Sequence, residues 1–185
     1  MSGWPGVADG PAYFEDVHAG QTLRFGRYEV TREEIVEFAR QFDPQPFHLD
    51  EAAARESLFG GLVASGWHTG AMFISMVAEH MGPRAVTQGA LGFDDLTWPV
   101  PVRPGDVLTV ESTVVETIPS RSRSDRGTVK IASRVLNQRA EAVMTLTSLV
   151  IVMRRPRAGG AAPPAAPGAG AEGGAGAGQS SRSFQ

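Results

Sequence analysis

The chain has 185 residues, no cysteine, 17 basic against 20 acidic side chains and 42% hydrophobic composition. That length suits one domain, and the missing cysteine excludes a disulfide scaffold, thiolate metal ligation and a cysteine nucleophile. A net charge of −3 points away from nucleic-acid binding, which usually brings a basic surplus.

The opening residues Met1-Ser2-Gly3-Trp4-Pro5-Gly6 lack the basic and apolar regions of a signal peptide. No run approaches the roughly 18 consecutive apolar residues of a membrane-spanning helix. A cytoplasmic protein without membrane attachment is expected. Residues 21–30 carry the mixed alternation of a first strand. Thr31-Arg32-Glu33-Glu34 then reads as a capping box, the Glu three positions on answering the Thr at the N-cap. Ile35, Phe38, Ala39 and Phe42 follow at helical spacing. Pro44 and Pro46 push their preceding residues out of the α region, so this helix should stop near Gln41. Asp50 is a good N-cap for a short helix over 51–57, and Gly60-Gly61 breaks the chain after it.

A second long helix is expected over 67–81, begun by Ser65 or Gly66. Met72, Phe73, Ile74, Met76 and Val77 make it apolar nearly all round, which predicts burial on every side. Gly82-Pro83 suits its C-terminal end. Strands are expected over 90–98, 106–117, 128–137 and 141–153, with the proline-rich 99–105 outside the sheet. Asn137-Gln138-Arg139-Ala140 reads as a hairpin connection. From Ala158 to Gly178 every residue but Glu172 is Ala, Gly or Pro. Side chains so small bury too little to offset the entropy of ordering, so 158–185 is expected to be a disordered tail. The domain is then 10–157, of α+β class, with an antiparallel sheet wrapped around one buried helix.

The densest chemistry lies in Asp43-Pro44-Gln45-Pro46-Phe47-His48-Leu49-Asp50. A carboxylate and an imidazole suit proton transfer, and two prolines stiffen the segment between them. Fully extended, that spacing would span about 16–18 Å, so the segment must fold back if both groups are to meet one substrate. Turn residues that only satisfy the backbone are the competing reading. A second feature, Ala64-Ser65-Gly66-Trp67-His68, opens the central helix. Its free amides and positive dipole end suit an oxyanion, and Gly66, without Cβ, lets a carbonyl oxygen approach. An ordinary cap at Ser65 explains the same residues.

The first of these segments resembles the acid–x–Asn–Pro–x–His–x–acid element of MaoC-like dehydratases, which include R-specific enoyl-CoA hydratases. The similarity extends through Tyr13-Phe14-Glu15-Asp16-Val17-His18-Ala19-Gly20-Gln21, the Gly60–Gly66 approach and Pro101-Val102-Arg103-Pro104-Gly105-Asp106, in family order. It implies a hotdog fold over about 13–153 and a lyase that interconverts a trans-2-enoyl-CoA and a (3R)-3-hydroxyacyl-CoA. By that resemblance Asp43 activates water, and His48 orients it and helps deliver a proton to Cα. The Gly66 amide holds the enolate oxygen. Phe47 and Trp67 flank this site and, with Ser65, read as substrate contacts, although core packing explains the two aromatic residues equally well. No cofactor and no metal are implied, coenzyme A entering as part of the substrate, and a homodimer is expected. Gln45 stands where the family commonly has Asn, and Ser65 where many relatives have His.

Two other functions compete: a hotdog acyl-CoA thioesterase, whose acid would have to be Glu79, and a non-catalytic acyl-thioester-binding subunit. His68 and His80 read as satisfied core or helix-end histidines. Asp94-Asp95 reads as an edge or turn pair. Arg121–Arg126 reads as a solvated, flexible hairpin loop in preference to a site for the phosphates of coenzyme A, and Arg154, Arg155 and Arg157 read as closing the domain before the tail.

Overall fold

The structure, a computed structural model, describes residues 11–81 and 86–156. A 3-10 turn, Phe14–Asp16, precedes strand β1 (Thr22–Glu29). Helix α1 (Arg32–Phe42) begins with the expected capping box. The Glu34 amide donates to Thr31 Oγ1 at 3.2 Å, and the Thr31 amide donates to the Glu34 carboxylate at 3.1 Å. Asp43 is the C-cap, its amide donating to the Ala39 carbonyl. A single helical turn that the sequence reading did not foresee, α2 (Pro46–Leu49), has proline in its first turn, where a missing N–H costs nothing. Asp50 caps α3 (Glu51–Glu56) by accepting from the Ala53 amide at 2.8 Å.

Helix α4 (Gly66–Met81) is followed by β2 (Thr87–Thr97), β3 (Val107–Pro119), β4 (Arg126–Leu136) and β5 (Ala142–Met153). The strands form one five-stranded sheet in the order β1-β3-β4-β5-β2, each neighbouring pair antiparallel. Period-two burial is clearest in β3, where Leu108, Val110, Ser112 and Val114 point inward. Ile35, Met72, Met76, Val110, Val135 and Val143 share the main core, which joins α1 and α4 to the middle of the sheet. Gly26 lies at a register shift in β1 with φ +78°, and a Cβ there would come within 2.7 Å of Met76 Sδ. Helix and strand therefore approach as closely as a bare backbone permits.

Helix α4 corrects one expectation. It buries His68, Thr69, Met72, Phe73 and Met76, yet Trp67 is 64% and Ile74 50% exposed. A five-stranded sheet curls around only part of a helix's circumference, so the apolar sequence runs past the surface that a single chain covers. The expected stop at Gly82-Pro83 and the tail over 158–185 lie outside the described residues.

Candidate active site

The end of α1 and the turn of α2 supply the fold-back that the sequence requires. After Asp43, the Gln45 amide donates to the Asp43 carbonyl and the His48 amide to the Gln45 carbonyl, reversing the chain within a few residues. His48 Nε2 thereby lies 3.5 Å from Asp43 Oδ2. On its other side, His48 Nδ1 lies 2.7 Å from the Val63 carbonyl oxygen. A carbonyl only accepts, so Nδ1 carries the proton, and a neutral ring presents a bare Nε2 towards Asp43. Ser65 Oγ donates to Asp43 Oδ2 at 2.7 Å and accepts from the Trp67 amide at 3.2 Å. One serine thus ties the carboxylate to the start of α4. The Gly66 amide, next in that first turn, has no acceptor among the described residues.

Two of these groups, His48 and Gly66, border a cavity of about 490 Å³. Phe47, His48 and Gly66 line it, as do Phe59, Thr69, Trp98 and Arg103; Asp43, Ser65 and Trp67 do not. Asp43 keeps 27% side-chain exposure, so water reaches it, whereas His48 is buried. Phe47 packs edge-on against the His48 ring at 4.6 Å and restricts its rotation. Trp67 faces instead an apolar groove of about 370 Å³ between α4 and β2. The Arg103 guanidinium donates to the Phe59 carbonyl at 2.6 Å, pinning one wall.

Three participants escaped the sequence reading. The Val63 carbonyl is a backbone group and leaves no residue-type signal. Arg103 and Trp98 carried one, the arginine inside Pro101–Asp106 and the indole at the head of the proline run, but neither pointed to the cavity.

The remaining candidates lie elsewhere. His68 stacks on Phe38 at 4.6 Å and His80 on Phe25 at 4.2 Å, as core histidines do. Each nevertheless leaves one ring nitrogen buried without a partner among the described residues, so "satisfied" is corrected. Both rings lie flat against a phenylalanine, which offers no acceptor in the ring plane. Burial lowers the pKa of each, with Glu34 opposing at His68. The Tyr28 hydroxyl donates to Glu34 at 2.7 Å, and burial followed by that carboxylate pushes the phenol up to about 12. Arg154 and Arg155 bridge to Glu15 and Asp16, closing the last strand onto the first turn. Asp94 lies 3.9 Å from Lys130, and Asp95 has φ 53°. Glu79 is exposed, near the end of α4 opposite Gly66.

An α4-type helix partly enclosed by a five-stranded antiparallel sheet is the hotdog architecture, and the α1–α2 corner places an acid and a histidine at its mouth. Residues 15–135 match the MaoC like domain family, and the chain belongs to it. The MaoC-like dehydratase structure from Rhodospirillum rubrum is 48% identical, with a TM-score of 0.74, covering 79% of this chain and 99% of that one. The (R)-specific enoyl-CoA hydratase of Rhodospirillum rubrum is 31% identical over 135 residues, 71% of this chain and 90% of that protein. The 3-hydroxybutyryl-CoA dehydratase of Methylorubrum extorquens is 33% identical over 114 residues, 60% of this chain and 69% of that protein. The protein is thus a member of a hydratase family. Among the described residues no helix is long and apolar enough to cross a membrane.

Proposed function

We propose that this chain adds water across the double bond of a trans-2-enoyl-CoA and runs the reverse dehydration of a (3R)-3-hydroxyacyl-CoA. One observation carries the reading. With Nδ1 committed to Val63, His48 Nε2 and Asp43 Oδ2 face each other 3.5 Å apart, close enough for one water to touch both.

In the hydration direction, Asp43 takes a proton from this water while its oxygen bonds to C3 of the enoyl group. The π electrons move through C2 to the thioester oxygen, where the Gly66 amide meets the developing charge. Such a donor is typically worth about 10²–10³ in rate. The proton then passes from the Asp43–His48 pair to C2 on the same face, the enolate collapses, and Asp43 is again a carboxylate. Ser65 holds the carboxylate, Phe47 steadies the imidazole, and Trp67 braces Trp98, which lines the cavity.

The carboxylate and imidazole supply both proton transfers, so the reading calls for no cofactor, and coenzyme A enters only as the thioester's carrier. Cytoplasmic residence and a homodimer belong to the same proposal. Strand β2 is a sheet edge that exposes Leu91, the kind of edge that a second copy covers. Sedimentation should give twice the chain mass; a monomer at all concentrations would refute the pairing.

The test is loss of enoyl-thioester absorbance with trans-2-butenoyl-CoA, the product's configuration being read by an R-specific dehydrogenase. Asp43→Asn and His48→Ala should each lower kcat by about 10²–10⁴. Full turnover in either folded variant refutes the assignment.

A further inference from the structure

We propose that Trp98 sets the length of acyl chain that the site admits. The inference rests on the acyl-thioester reading above and adds the determinant of its substrate range. Trp98 lines two spaces at once: the cavity that holds His48 and Gly66, and the groove between α4 and β2. It is the one residue common to both linings among the described residues. The indole is the wall between them.

That wall is held in place from two sides. The ring lies on Gly66 so closely that a Cβ there would be 2.8 Å from Trp98 Cε2 and 2.9 Å from Cδ2. Only glycine leaves room for it. From the other side, Trp67 meets it edge-on, with ring centroids 5.6 Å apart and planes at 72°, a favourable aromatic arrangement. Trp98 also follows β2 directly and precedes Pro99, whose ring restricts the Trp98 backbone.

The groove beyond has the chemistry of an alkyl binding site. Trp67, Ile74, Phe93, Leu96, Met144 and Leu146 all contribute to it, and every residue of its lining is apolar. Water gains little there, whereas each methylene moved from water to such a surface is worth about fourfold in affinity. Gly66 places the two spaces in one frame. With the thioester oxygen on its amide, the reacting carbons lie beside His48, and the indole on the same glycine stands within a residue's width of them. A short acyl group ends inside the first cavity. The tail of a longer one meets Trp98, and the occupant of the groove is that tail once the indole is removed.

The test compares kcat/KM of wild type and Trp98→Ala on trans-2-enoyl-CoAs of four to twelve carbons. Wild type should favour the short end. In Trp98→Ala the ratio of ten-carbon to four-carbon activity should rise at least tenfold, and Trp98→Leu should give a smaller rise. Adding Ile74→Trp to Trp98→Ala refills the groove from its far side and should reverse the gain. Calorimetric binding of butyryl-CoA and decanoyl-CoA gives the same ratio without turnover. No hydration by any variant, with decanoyl-CoA binding favoured by Trp98→Ala, would sink the hydratase reading and uphold the wall. Hydration with the chain-length ratio unchanged would sink the wall alone. An unchanged ratio in both turnover and binding overturns the proposal.

Discussion

Ser65 Oγ donates to Asp43 Oδ2 at 2.7 Å, and that same oxygen faces His48 Nε2 at 3.5 Å. The serine is buried at the start of α4 and Asp43 ends α1, so one hydrogen bond fixes the carboxylate relative to the oxyanion donor one residue away. Hydrogen bonds to charged groups are worth about 1.5–3 kcal/mol. Ser65→Ala should therefore lower kcat by about 10–100-fold while KM moves less than about threefold. Steady-state hydration kinetics read the split, and a raised KM with kcat unchanged would mean that Ser65 serves substrate binding instead.

Gly66 carries two demands, an amide free for an oxyanion and space for Trp98. A Cβ at this position meets the indole at 2.8 Å, inside normal contact distance. Overpacking of that kind costs about 1–3 kcal/mol. Gly66→Ala should lower the urea midpoint and alter the near-ultraviolet circular dichroism of the tryptophans. The paired change Gly66→Ala with Trp98→Ala should recover most of the midpoint, because the clash is gone.

At Gly26 the demands are a positive φ of +78° and the absence of a side chain, since an added Cβ would lie 2.7 Å from Met76 Sδ and 3.0 Å from its Cβ. An alanine is strained by the backbone and by the helix together. Gly26→Ala should destabilise by about 1–3 kcal/mol in equilibrium urea unfolding. Truncating the methionine as well should return only part of this, since the φ penalty remains.

Burial holds His68 below its ordinary pKa of 6.5, and Glu34 offsets this only in part. The unfolded chain therefore takes up a proton at a higher pH than the folded one. Stability is full above 6.5 and is lost as pH falls through that value towards the folded pKa. The Tm should drop between about pH 7 and pH 5. The drop should be shallower in His68→Phe, which keeps a ring against Phe38. Equal slopes would show that folding leaves the pKa of His68 unchanged.

Local rules carried much of this architecture. Thr31 and Glu34 form the box that their spacing announces, and Gly66 starts the central helix where the small residue stands. Asp43 and His48 were visible as a pair because a stiff, short segment joins them. What was not legible depends on partners distant in sequence. His48 obtains its tautomer from Val63, 15 residues on, and Asp43 obtains its serine from 22 residues on. The α2 turn exists because Pro46 starts it and the chain beyond packs His48 inward. No periodicity predicts so short an element. The open side of α4 escaped for a different reason: hydropathy reports what a helix could bury, whereas coverage depends on how far the sheet curls.

Asp43 closes α1, so the length of that helix is also a gauge for the site. Removing one residue between Arg32 and Phe42 would turn the C-cap by about 100° and draw it back about 1.5 Å. Either change swings the carboxylate away from His48 and Ser65. Homologous chains and library variants should therefore tolerate insertions and deletions in the solvent-exposed β3–β4 connection. From Thr31 through Leu49 the residue count itself should be invariant, even where the side chains are free to change.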